Sequence, residues 1–116
     1  MEDRGGRVGH IAVHDDVVMS LAAWTALQVS DVAGLAVRGT VWRHFAPGAV
    51  RAVHVDHRAD GIALDVHVVV RYGASIAAVA DAVARRVSQS LHELAGLNPL
   101  EVTTRVVGVD RQDPAE

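Results

Sequence analysis

The stretch Ile62-Ala63-Leu64-Asp65-Val66-His67-Val68-Val69-Val70-Arg71 decides the fold. Ile62, Leu64, Val66, Val68 and Val70 alternate with Ala63, Asp65, His67, Val69 and Arg71, a period of two with one dry face and one mostly polar face. A strand with that pattern lies on a core with one side and turns the other to water. Turn chemistry brackets it, Ala59-Asp60-Gly61 before and Tyr72-Gly73 after. Upstream, Leu35–His44 and Val50–His57 read as two more strands, parted by Pro47-Gly48. Three strands joined by short turns predict an antiparallel meander.

Working outward, Ser75 is placed to cap a helix whose apolar stripe is Ile76, Val79, Ala80, Val83, Val87, Leu91 and Leu94. Asp81, Arg85, Gln89, His92 and Glu93 fall on its other side. Gly96 suits a left-handed cap, Leu97 the apolar contact behind it and Pro99 the stop. A last strand follows over Leu100–Val109. Toward the N-terminus, Val8–Val13 reads as a short strand, and Asp15 or Asp16 as the carboxylate cap of a helix from about Asp16 to Val29. The order is β-α-β-β-β-α-β. It predicts an α+β fold of two layers, a mostly antiparallel sheet with both helices on one face. Residues 8–109 then form a single α+β domain between flexible polar tails, 1–7 and 110–116.

The first helix is apolar on more than one side. Val18, Leu21, Ala22, Thr25 and Val29 make one stripe, while Val17, Trp24 and Leu27 lie on an adjoining flank. Such a helix sits under a second helix or faces another chain. Val17, Trp24 and Leu27, with Trp42 on the first meander strand, are therefore the candidate interaction residues.

Composition narrows the chemistry. The 116 residues include no cysteine, which excludes disulfides, thiolate catalysis and cysteine-bound zinc. All 11 basic residues are arginine, so neither a lysine Schiff base nor a P-loop lysine is possible. A net charge of −3 gives no basic footprint for nucleic acid. The longest uncharged stretch, Val17 to Ser30, would span about 21 Å as a helix, short of the ~30 Å of a bilayer core, so no direct membrane insertion is expected. A charged N-terminus without a long apolar run is unlike a secretory signal, and the expected location is cytoplasmic.

Seven histidines require a metal site to be weighed. His54 and Asp56 share one face of their strand, Asp65 and His67 one face of the next; if the faces coincide, a nitrogen and oxygen cluster for zinc could form. Cross-strand Asp–His pairing accounts for the same residues without a metal. His54 and His57 point to opposite faces and cannot close on one ion. The serines lie in or at the ends of predicted helices, outside any G-x-S-x-G turn. Gly5-Gly6-Arg7-Val8-Gly9 precedes a strand instead of following one, so it does not fit a phosphate loop. No catalytic constellation and no cofactor site emerge.

Several segments together resemble the alkaline shock protein family of small Gram-positive envelope stress response proteins. They are Val68-Val69-Val70-Arg71-Tyr72-Gly73, the helix from Ser75, His92-Glu93-Leu94-Ala95-Gly96-Leu97 and the valine-rich strand Glu101 to Val109. Gly9-His10-Ile11-Ala12-Val13, Val17-Val18 and Val32-Ala33-Gly34-Leu35 extend the likeness to about Gly9–Val109. The chain departs from the family pattern at Thr104 and in lacking lysine. The resemblance implies a non-enzymatic, cytoplasmic protein that self-associates as a scaffold or adaptor. It also implies attachment to the inner face of the membrane through a small membrane-anchored partner. Two alternatives stay open: control of fatty-acid precursor synthesis, implied by some relatives, and a small-ligand or metal-binding module on the meander histidines.

Overall fold

A computed structural model describes residues 12–111. Its elements are helix α1 (Asp15–Leu27), strands β1 (Val32–Val37) and β2 (Thr40–Trp42), a 3₁₀ segment (Pro47–Ala52), strands β3 (Val53–Arg58) and β4 (Gly61–Arg71), helix α2 (Ile76–Ala95) and strand β5 (Glu101–Asp110). The strand expected over Val8–Val13 lies mostly outside the described residues, and residues 12–14 form no regular element.

The alternating strand is the centre of the sheet. Leu64, Val66, Val68 and Val70 of β4 are buried against the helices, as the period of two requires. The strand's length lets it pair with three neighbours. β5 runs parallel to it along Ala63–Arg71, while β3 is antiparallel to Gly61–Val66 and β1 antiparallel to Val68–Val70. Because β5 matches Val66 and Val68 from one side, β3 and β1 must share the other edge end to end. β2 then extends the sheet beyond β1.

This corrects the three-strand meander. Arg38 and Gly39 both take positive φ, 49° and 82°, and close a two-residue hairpin with Val37 opposite Thr40. That is the pattern of a primed turn, whose twist matches the strands it joins. The single strand read over Leu35–His44 is thus two strands. Pro47–Ala52 is helical, burying Ala49 and Ala52, and carries the chain across so that β3 begins only at Val53. The β4–α2–β5 crossover makes the β4–β5 pair parallel, since a long helical connection returns the chain to the same end of the sheet.

Both helices cover one face. In α2 the buried stripe is Val79, Val83, Val87 and Leu91; Ile76 and Leu94, assigned to that stripe from sequence, are exposed at its ends. Ser75 caps the helix, its Oγ accepting from the Ala78 amide at 3.2 Å. Gly96 at φ 70° ends it in the left-handed conformation that favours glycine, with the Gly96 amide donating to the His92 carbonyl and the Leu97 amide to that of Leu91. Thr104 of β5 donates to the Ala80 carbonyl at 2.9 Å, pinning α2 to the sheet.

α1 packs against α2 and the strands through Val18, Ala22, Ala23, Thr25 and Ala26. Its N-cap is His14, whose side chain makes no capping bond, so the expected Asp15 or Asp16 cap is corrected: both carboxylates lie in the first turn, where the helix dipole favours them. Asp15 also meets Nε2 of His57 on β3 at 2.9 Å, tying the helix start to the sheet. Among the described residues no helix is long and apolar enough to cross a membrane.

Candidate functional site

Among the described residues two surfaces are left to interact with something else: the outer side of α1 and the face of the sheet that no described helix covers. Along α1, Val17, Ser20, Trp24 and Gln28 follow one another at helical spacing and carry no charge. Val17 and Trp24, seven residues and two turns apart, are each 48% exposed. Small alanines on the inner side let α1 lie close on the core, and Val17 and Trp24 are the large apolar residues of the helix left exposed. The other two candidates are placed differently. Leu27 is half-buried against the core, and so is Trp42. The Trp42 indole lies on Gly48, where an added Cβ would be 2.5 Å from the ring.

The uncovered face has a polar half and an apolar half. Alternation along β3, β4 and β5 brings His54, Asp56, Arg58, Asp65, His67, Glu101, Thr103 and Arg105 to the polar half. Register sets His54 opposite Asp65 and His67 opposite Arg105. The faces of His54, Asp56, Asp65 and His67 do coincide, but the acids are engaged elsewhere. Arg58 pairs with both Asp56 and Glu101 at 3.1 Å, and Arg105 meets Asp65 at 3.4 Å. The hydrogen bond that Arg58 donates to Asp56, and then the one it donates to Glu101, hold its pKa above the ordinary value. The His54 and His67 rings meet edge to face, 5.1 Å between centroids. Among the described residues no three His, Asp or Glu side chains are grouped to hold a metal ion. Arg58, Glu101 and Arg105 complete this network and were missed from sequence. Strand parity on β5 could have found the last two only once its partner strand was known.

Burial lowers the pKa of His67, and the neighbouring imidazole of His54 adds to this; Asp65 pulls the other way and Arg105 reinforces the drop. A histidine whose folded pKa lies below its unfolded value binds its proton more readily in the unfolded chain. Its contribution to stability is therefore full above the ordinary histidine range and is lost as pH falls through that range toward the folded pKa. Urea titrations of the native chain and His67→Gln at pH 8 and pH 5 check this: the native chain should lose more stability than the variant on acidification. Equal losses would count against it.

The apolar half is a hollow of about 450 Å³ lined by Ala36, Val41, Val69 and Val107, floored by Gly108 and closed at one end by the ion pair of Arg43 with Asp110. A register shift between Val68 and Val69 turns Val107 outward, 55% exposed. Ala63 and Val69 are buried on this face even without a helix over it, screened by the side chains around them.

The sequence profile of the alkaline shock protein 23 family, described as having a cell envelope-related function, matches residues 4–111. An uncharacterized protein of Bacillus subtilis (strain 168), YqhY, is 29% identical over 119 residues, covering 100% of this chain and 88% of that protein. No solved structure matches.

Proposed function

The chain belongs to the alkaline shock protein 23 family, a family of cell envelope-related function, and from that premise we propose that it is a non-enzymatic scaffold or adaptor of the envelope stress response. In this reading it works at the cytoplasmic side of the membrane, self-associates, and is held there by a small membrane-anchored partner. The observation that carries the reading is the outer side of α1, where Val17 and Trp24 stand half exposed on a helix without a charged residue between them. An indole is the side chain most able to anchor an interface, since it brings a large area at little entropic cost.

Sedimentation velocity from 1 to 100 µM tests it. The native chain is expected to rise above monomer mass with concentration, and Trp24→Ser to weaken that association by at least tenfold, as truncation of a central aromatic anchor does. Emission from Trp24 should move to shorter wavelength as the native chain associates. A native chain that stays monomeric to 100 µM, or a variant that associates equally well, rejects self-association through this surface. A metal-binding reading through His54, Asp56, Asp65 and His67 is not favoured, because Asp56 and Asp65 are committed to arginines.

A further inference from the structure

Beside the neutralised network on the uncovered face lies a second hollow of about 280 Å³, lined by Ala36, Val37, Arg38, Arg51, His54 and His67. Its polar side chains are two guanidiniums and two imidazoles, with no carboxylate among them. Arg43, Arg58, Arg71, Arg85 and Arg105 are each ion-paired, whereas neither Arg38 nor Arg51 has an acidic partner among the described residues. Asp56 and Asp65, on the strands that carry the two histidines, are held by Arg58 and Arg105. Each of the four groups comes from a different element: Arg38 from the β1–β2 turn, Arg51 from the 3₁₀ segment, His54 from β3 and His67 from β4.

Arg38 adds an independent sign. It holds φ 49°, a left-handed conformation that L residues other than Asn and Asp seldom adopt, at the turn position where Asn is preferred. The turn gains nothing locally from arginine at this position, and the Arg38 side chain lines the hollow. Two like-charged forks without counterions form a site for an anion, and the planar fork of arginine matches phosphate oxygens two at a time. We propose that this hollow binds a phosphate group, with Arg38 and Arg51 as the charged clamps and His54 and His67 as the N–H donors between them. The phosphate is either a free or small-molecule phosphate or the phosphomonoester headgroup of a lipid; the clamp chemistry is the same.

The full-length chain is titrated with inorganic phosphate while the imidazole ring signals are followed by NMR. Expected are saturable shifts of His54 and His67 at a fixed pH, with binding at least tenfold weaker in Arg51→Gln and in Arg38→Asn. Arg38→Asn gives the turn its preferred residue, so its loss of binding is not a loss of folding. Arg86→Gln, on the helical layer, should bind as the native chain does. In a second arm the chain is sedimented with phosphatidylcholine vesicles with and without phosphatidic acid. Phosphate binding without vesicle capture assigns a soluble ligand; capture that needs phosphatidic acid and both arginines assigns the lipid. Absence of both, or binding unchanged in the two arginine variants, overturns the proposal.

Discussion

Val83→Asp is expected to abolish the cooperative fold. Val83 is fully buried at the middle of α2, between Val79 and Val87 on the stripe that lies over the sheet. A carboxylate there has valine and leucine for neighbours and no cation within the core cluster. An uncompensated buried charge costs about 3–5 kcal/mol, and protonating it to escape that cost leaves an unsatisfied polar group instead. The lost methyl contacts add about 2 kcal/mol. Set against a total stability of roughly 5–15 kcal/mol, the sum consumes most or all of the margin. Val83→Ala isolates the packing part and should stay folded with a lower urea midpoint. Circular dichroism against urea reads both variants. Equal midpoints would show that position 83 is wetter than its burial implies.

Gly34→Val is expected to displace the β1–β2 hairpin. An added Cβ at Gly34 would stand 2.7 Å from a methyl of Val41 and 2.8 Å from the carbonyl oxygen of Trp42. The second contact is with main chain, which cannot rotate aside as a side chain can. β2 must move, and overpacking of this kind costs about 1–3 kcal/mol for one methyl group and more for valine. Because Trp42 sits on Gly48 and against the core, moving β2 should pull its indole toward water. In a Trp24→Phe background, red-shifted Trp42 emission and a lower melting temperature are the expected readings. Gly39→Asn is the contrast: φ is 82°, nothing lies within 4 Å of an added Cβ, and Asn tolerates that conformation, so the change should stay within about 0.5 kcal/mol. If both substitutions behave alike, the close approach at Gly34 is not what requires glycine there.

The comparison of sequence with structure divides along the range of the interactions concerned. The strand at 62–71, the Ser75 cap, the Gly96 end and the last strand were legible within a residue or so. Each depends on neighbours a few positions away: side-chain parity, a hydroxyl three residues from an amide, a glycine free to turn left-handed. The Arg38-Gly39 turn was not recognised, because arginine is a poor left-handed residue and the apolar run continues through Val41 and Trp42. The 3₁₀ segment after Pro47 reads in sequence as a turn and the start of a strand, since a short apolar run looks alike in either state.

For the candidate site the split is sharper. The unusual apolar spread of α1 was visible from Val17 to Val29, yet only packing showed which residues it leaves outside. Trp24 stays half exposed; Leu27 and Trp42 turn to the core. Likewise, strand parity put His54, Asp56, Asp65 and His67 on matching faces but could not say that Arg58 and Arg105 would hold the acids.

By itself, then, the sequence determined the α+β class, the central alternating strand, two helices with both ends of the second, and a chain without thiol or lysine chemistry. Those follow from periodicity, local capping bonds and composition. Only the tertiary structure decided that β3 and β1 share one edge of β4, that β5 lies parallel on the other, and that Arg38 and Arg51 meet two histidines without an acid between them. These are contacts between residues far apart in the chain. Their register is fixed by which arrangement buries the whole valine-rich face at once, a condition no local stretch can state.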